Sequence, residues 1–346
     1  MTSGDRSAAE TPALAARLRR LVPRFSSVRA VVAGDLIADE FIYGRIERVS
    51  REAPVLILGY DSTEIVPGGA GNAAANVAAL GGRVSIVGIA GRDTAGEALL
   101  GVLGGRADVS GVLRPAAYVT PVKTRILAGG AHSAKQQVVR IDRTSTPVSD
   151  RTASLVVRRL ASALAQADVV IVSDYGSGLL TPERFAQALA RAGVSRRPKV
   201  LVDSRYALSR FRGATACTPN ESEVEALVGY TIGDDRDRLE AAGRELLNRL
   251  ESDAVLVTRG SRGMALFEPG RPTVHIPIVG SDQVTDVTGA GDTVIATFAL
   301  ALAAGASFVE AAHLSNHAGG LAVMKRGTAT VSPAELLASL PSTSTR

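Results

Sequence analysis

Apolar positions along the chain follow two periods that alternate. Short, nearly continuous β-branched runs occur at VRAVVAGD (28–35), VSIVGIAGRD (84–93), DVVIVSDYGSG (168–178), KVLVDSR (199–205) and DAVLVTRGSRGMALF (253–267). Such runs predict strands covered on both faces. Between and after them lie segments with helical spacing or helical start signals: 67–82, 94–103, 149–166, the stretch led by Thr181-Pro182-Glu183, the one opened by Asn220, 293–305 and 307–325. Strand–helix alternation predicts an α/β fold with a largely parallel sheet. Two stretches break the rhythm. Residues 36–69 and 118–142 alternate and turn without forming a convincing helix, which predicts strands outside the main sheet, the second punctuated as a hairpin by Gly129-Gly130. Residues 1–28 read as a short Arg-rich helical extension.

Composition narrows this picture. The 346 residues are 46% hydrophobic and 21% charged, enough for a sizeable core in one large or two smaller α/β units. The net charge is +5, but aromatics are 4%, Trp is absent and the arginines are scattered. That pattern predicts a solvated basic surface and no nucleic-acid partner. A single cysteine, Cys217, excludes an internal disulfide framework and suits a reducing compartment. No apolar run is long enough to span a bilayer, and the N-terminus lacks the order of a signal peptide, so the expected location is cytoplasmic. His313 and His317 are spaced i, i+4 but lack the Glu of a HExxH motif.

The chemistry concentrates in DVTGAGDTV (286–294). Gly289 and Gly291 flank Ala290, and the apolar segment that follows predicts a buried helix, so the turn sits at a helix N-terminus suited to negative charge. Asp292 lies in that same spot. Two readings stand: Asp292 caps the helix, or it takes a proton from an attacking hydroxyl while the amides hold charge on a phosphoryl group. Asp35 ends the first strand and Asp39 follows four residues later. Gly69-x-Gly71-x-x-Ala74 formally matches a dinucleotide fingerprint, with Asn72 either a helix cap or a polyol contact. Asn220 and Glu223 satisfy a capping pattern, and Thr258-x-Gly260-x-x-Gly263 is a glycine turn. Both fall at strand ends and are expected to converge with GAGD on one rim of the sheet. Lys123, Arg125, Lys135 and Arg140 give the second insert a cationic bias, as surface charge or as phosphate contacts. P-loop and GxSxG motifs are absent. These features favour a phosphate-handling α/β enzyme and leave phosphoryl and hydride transfer open.

DVTGAGD resembles the signature of ribokinase-like sugar kinases of the phosphofructokinase-B type, and GGAGNAAANVAALG resembles that family's sugar-side signature. With Asn220-x-x-Glu223 and the 258–263 turn, the likeness covers about residues 28–336. It implies a doubly wound α/β/α sandwich with a small β-sheet lid. The kinase domain would span 29–338, with lid inserts near 40–65 and 116–142, an extension at 1–28 and a tail at 339–346. Carried over, Asp292 resembles the base, and Gly289, Ala290 and Gly291 the anion hole. Asn220 and Glu223 resemble the pair that organises Mg²⁺ and the ATP phosphates, mostly through water. Thr258, Gly260, Gly263 and Asn316 resemble nucleotide contacts. Asp35, Asp39, Gly68, Gly69 and Asn72 look like the sugar side, joined by Lys123, Arg125, Gln137 and Arg140. Asp286 and Thr288 resemble part of a monovalent-cation site, which would take K⁺.

Within the family, GDLIADEFIYGRIERVSREAPV, QQVVRID and SDYGSGLL carry a likeness to D-glycero-β-D-manno-heptose 7-phosphate kinases. The chain has Ser177, Arg205 and Lys135 where such kinases often have Lys, Lys and His. Kinases for ribose- or fructose-type acceptors are the nearest alternative. A nicotinamide dehydrogenase and a non-catalytic sugar-binding protein are alternatives of other classes. Pairing of lids predicts a homodimer.

Overall fold

The structure is a computed structural model and describes residues 11–130, 135–193, 197–279, 286–325 and 327–342. The expected extension and tail therefore lie partly outside the described residues, as does part of the hairpin turn. The chain runs α1 (Pro12–Leu21), β1 (Arg29–Gly34), β2 (Leu36–Val49), β3 (Leu56–Gly69), α2 (Ala70–Ala79), β4 (Arg83–Ile89), α3 (Thr94–Gly104) and β5 (Asp108–Leu113). It continues with β6 (Val122–Gly129), β7 (Gln136–Arg143), α4 (Asp150–Leu164), β8 (Val169–Asp174), α5 (Pro182–Ala192), β9 (Lys199–Ser204), β10 (Ala216–Cys217) and α6 (Glu221–Val228). The remainder is α7 (Arg236–Leu250), β11 (Ala254–Thr258), β12 (Met264–Phe267), β13 (Val274–Ile276), α8 (Ala290–Ala303), α9 (Phe308–Val323) and α10 (Pro333–Ser339).

Among the described residues nine strands form the main sheet, in the order β13-β12-β11-β10-β9-β8-β1-β4-β5. All neighbours pair parallel except β11–β12 and β12–β13. The strands serve two cores by alternation. Ala30 and Val32 of β1 face the core built with α1, α2, α8 and α9, whereas Val31 and Ala33 face the one built with α4, α5 and α7. From β1 the chain proceeds outward through β4 to β5, then returns to the other side of β1 at β8. The strand order thus reverses between β1 and β8, which opens a crevice at their carboxyl ends.

The two rhythm-breaking stretches form a separate four-stranded sheet, β3-β2-β6-β7, with β2 and β6 parallel and both outer pairs antiparallel. Its strands run longer than the expected inserts, beginning at Leu36 and ending at Gly69 in the first. The N-terminal segment is integral to the fold: Leu18, Leu21, Val22 and Phe25 are buried in the first core. Helix α7 and strands β5, β10 and β13 lie outside the elements expected from sequence.

Candidate active site

The crevice between β1 and β8 is closed from above by the lid sheet and from one side by the N-terminus of α8. Gly289 is the N-cap of α8 at φ +78°, with no side-chain cap. A Cβ there would stand 2.4 Å from Asn72 Nδ2, so sterics and backbone both require glycine. The first helical hydrogen bond runs from Thr293 N–H to the Gly289 carbonyl. The capping reading of Asp292 fails, because its carboxylate turns to α2, where Asn72 Nδ2 donates to Oδ2 at 2.7 Å. Tyr175 Oη lies 3.5 Å from Oδ1, and both residues line the cavity. Asp292 is 5% exposed. Burial first, then the negative charge of Asp203, push its carboxyl up to about 8, against the Asn72 hydrogen bond.

A cavity of about 450 Å³ holds Asp292, Gly289 and Gly291 together with Thr288, Asp39, Gly69, Lys123, Arg125, Arg140, Asn220, Glu223 and Thr258. The expected convergence is therefore realised. Thr258 N–H donates to the Pro219 carbonyl, and Asn220 bridges Thr258 in parallel, which joins the two strand-end motifs. Asn220 and Glu223 form a complete capping box on α6. Burial, then the charge of Glu223, raise neighbouring Asp203 to about 7. Beside this cavity an apolar cleft of about 410 Å³ is lined by Thr258, Gly260, Gly263, Ala290, Val294 and Asn316 among others. Asn316 Nδ2 donates to the Pro277 carbonyl at 2.7 Å.

Several sequence-based expectations change in the structure. Arg125 was a candidate for phosphate, but its Nη1 donates to Asp39 Oδ1 at 2.5 Å and both groups are buried. The pair is created by parallel β2–β6 pairing and occupies both charges. Asp35 does not line the cavity that holds Asp292, and its carboxylate already accepts Tyr175 N–H at 2.8 Å, Ser177 N–H at 3.2 Å and the Ser177 hydroxyl. Burial nevertheless raises its pKa. Gln137 lies on the exposed outer strand β7 and lines none of these cavities: a register shift sets it opposite Leu127, on the face of Arg140 but farther along the strand. Gly68 packs against Asp39, where a Cβ would meet Oδ2 at 2.4 Å. Asp286 ties two loops, accepting Thr288 N–H at 2.9 Å and Gly327 N–H at 3.0 Å. The dinucleotide reading of Gly69-x-Gly71 also fails. The strand before the loop, β3, belongs to the lid and is antiparallel, and no βαβ unit surrounds it. Tyr175, Asp203, Arg205 and Thr328 also line the cavity and were not singled out as site residues. Tyr175 and Arg205 directly follow strands and Asp203 is next to last in one, which hinted at it; Thr328, past α9, carried no such sign.

An α/β sandwich with a lid, a buried acid at an uncapped helix N-terminus and converging glycine turns describes a sugar kinase of the phosphofructokinase-B type. Residues 36–335 match the family described as pfkB family carbohydrate kinase, and the chain belongs to that family. It is a phosphotransferase of that class. The chain is 43% identical over 315 residues to the "Bifunctional protein HldE" of Geobacter metallireducens, covering 90% of this chain and 63% of that protein. It is 43% identical over 322 residues to the protein of the same name from Methylococcus capsulatus, covering 91% and 64%. The chain thus spans somewhat under two thirds of the relatives it matches. Among solved structures, it superposes on Arabidopsis thaliana ribokinase complexed with ribose and ATP (TM-score 0.69, 23% identity, 90% of this chain and 98% of the other). It also superposes on Escherichia coli phosphofructokinase-2 in complex with substrates and products (TM-score 0.72, 20% identity, 90% and 99%). These two show the fold.

Proposed function

We propose that the protein transfers the γ-phosphoryl group of ATP to a hydroxyl of D-glycero-β-D-manno-heptose 7-phosphate, giving the 1,7-bisphosphate. The observation that carries the reading is Asp292: a buried carboxylate that accepts from Asn72 on one oxygen, has the Tyr175 hydroxyl near the other and lines the cavity beside the N-terminus of α8. Asp292 accepts the proton of the acceptor hydroxyl as that oxygen attacks phosphorus and the bond to the β-phosphate oxygen breaks, releasing ADP. Gly289 and Gly291 would offer backbone N–H groups to the charge spread over the transferred group, while the Ala290 N–H donates to the Val287 carbonyl at 3.3 Å and holds the turn. The apolar cleft past Thr258, Gly260 and Gly263 suits the nucleoside. The heptose acceptor is supported by the long matching segments around β2, β7 and β8, and by the identity to the HldE proteins.

The donor set fits a water-rich Mg²⁺ and not a protein cage. Asn220 Oδ1 accepts from Glu223 N–H and the Ser222 hydroxyl, and Glu223 Oε2 accepts from Asn220 N–H. Among the described residues no three His, Cys, Asp or Glu side chains gather as a metal cluster. When bound, Mg²⁺ would supply positive charge to the phosphates while keeping several waters, with Asn220 and Glu223 orienting them. Asp286 spends both carboxylate oxygens on loop N–H groups, so K⁺ near Thr288 would rest on backbone carbonyls.

Among the described residues no helix is long and apolar enough to cross a membrane. Among the described residues, eight of the thirteen exposed large apolar side chains belong to the lid region or its turns, including Tyr60, Val139 and Ile141, which supports a lid-to-lid homodimer. The test is ADP release with Mg-ATP over D-glycero-D-manno-heptose 7-phosphate, sedoheptulose 7-phosphate, fructose 6-phosphate, fructose and ribose. Turnover confined to the aldoheptose phosphate is expected. Turnover only with unphosphorylated sugars would remove the heptose assignment and keep the kinase.

A further inference from the structure

Beside the cavity that holds Asp292 lies a second of about 500 Å³, bounded by Asp35, Asp142, Thr144, Ser177 and Tyr206 among others. Four residues line both: Lys123, Arg140, Tyr175 and Arg205. The second cavity reaches none of the 287–292 residues, so an anion bound there is separate from the group being transferred. Its walls are cationic, but the cations differ in what they already hold. Arg125 lines only the first cavity and is paired with Asp39. Arg140 grips Asp142 through two bonds, Nε to Oδ1 at 2.7 Å and Nη2 to Oδ2 at 2.6 Å. Arg143 reaches Glu40 at 3.1 Å.

Lys123 and Arg205 differ. Among the described residues neither ammonium nor guanidinium has a carboxylate within ion-pairing distance. The Lys123 ammonium sits over the Tyr175 ring, 4.8 Å from its centroid. Burial pushes its pKa down, which an incoming anion would reverse. Arg205 is fixed through its backbone, whose N–H donates to the Asp174 carbonyl at 3.0 Å, while its side chain is exposed at the mouth shared by both cavities. Strands β9 and β6 thus bring one rigid fork and one point charge to the same wall from opposite sides of the crevice.

We propose that Arg205, with Lys123, determines specificity by holding a phosphate on the acceptor remote from its reacting hydroxyl. The hydroxyl lies at Asp292, the sugar passes Tyr175, and the phosphate rests in the second cavity. This rests on the kinase reading above.

The experiment compares wild type, Arg205→Ala and Arg205→Lys in steady-state kinetics with D-glycero-D-manno-heptose 7-phosphate and with its unphosphorylated parent, varying Mg-ATP separately. Losing a charge-assisted bidentate contact is expected to raise KM for the sugar phosphate by roughly tenfold to a hundredfold. KM for Mg-ATP and the low kcat/KM of the parent sugar should stay within about twofold. Lysine should restore part of the loss, since it returns the charge without the fork. A rise in KM for Mg-ATP instead would assign Arg205 to the nucleotide phosphates and overturn the proposal. Equal losses with both sugars would overturn it too. Wild-type turnover of unphosphorylated sugars alone removes the parent reading and the pair with it. Normal sugar-phosphate turnover with an unchanged KM in Arg205→Ala removes the pair and leaves the parent reading standing.

Discussion

The two ends of the candidate site are built on opposite principles. At the GAGD end the backbone does the positioning: Gly289 tolerates no Cβ, Asp292 and Asn72 are buried, and α8 is apolar along almost its whole length. At the lid end side chains do it, through charge pairs such as Asp39–Arg125, Arg143–Glu40 and Lys135–Asp61, on strands that are largely exposed. Chemistry shared by a whole family sits where a single added carbon is rejected. On the proposed reading, acceptor choice sits at the lid, where charge pairs other than the buried Asp39–Arg125 reach the surface. Substitutions at the first end should abolish turnover; those at the second should redirect or destabilise it.

The largest effect is expected at Asp292. Asp292→Asn should lower kcat by about 10²- to 10⁴-fold while ATP binding, read by calorimetry, changes little. Near-wild-type turnover in that variant would falsify its role as base. The same substitution reports on pH. The folded Asp292 pKa is raised to about 8 from an unfolded value near 4, so the folded state holds the extra proton between them. Its contribution to stability is full below about pH 4 and is lost as the pH rises toward 8. Asp292→Asn should therefore be more stable than wild type at pH 8, by roughly 1–3 kcal/mol, with the gap closing toward pH 5. Urea unfolding at the two pH values measures it.

Next comes the lid's buried pair. Arg125→Met leaves Asp39 charged and unpaired beside Gly68, and should cost about 3 kcal/mol. Adding Asp39→Asn should recover most of that in a double-mutant cycle; additive losses would mean the two residues act separately. Gly289→Ala is smaller. The positive φ and the Asn72 contact together should cost about 1–2 kcal/mol and lower kcat more than they raise either KM. An unchanged kcat would mean that the turn has slack that its 2.4 Å approach denies.

How much of this was legible follows the same division. Doubly buried strands announce themselves as continuous apolar runs, and α8 as an apolar helix behind glycines, so the sheet and the GAGD end were read closely. Helix α7 escaped because its interior is crowded with charge, and only its i, i+3, i+4 leucines and alanines (Leu239, Ala242, Leu246, Leu247, Leu250) reach the core. Strands β10 and β13 are two and three residues long, too short to carry a period. The lid's strands were foreseen, but not its charges. Asp39 meets Arg125 across 86 positions only because β2 and β6 pair parallel, and no local pattern fixes that register. Gln137 and Arg140 look equivalent in QQVVRID, and Arg140 alone reaches the cavities.

The outer face of the lid gives the smallest expected effect on chemistry and the cleanest separation of the two ends. Val139 and Ile141 flank Arg140 on β7, so alternation points them away from the side on which Arg140 lines the cavities. They sit on an edge strand of a four-stranded sheet, where exposed apolar side chains and unpaired backbone groups invite another chain. If two lids pair there, Ile141→Lys places a charge in the interface and should shift sedimentation at micromolar concentration toward monomer, with kcat within a few-fold. Val102→Lys, at an exposed apolar position on α3 in the main body, is the control and should leave sedimentation unchanged. Equal behaviour of the two variants would mean the lid face is ordinary surface. Dissociation with a collapse of kcat, and not only of assembly, would mean that a second subunit completes the site, and the division between a core that reacts and a lid that selects would then have to include the partner's lid.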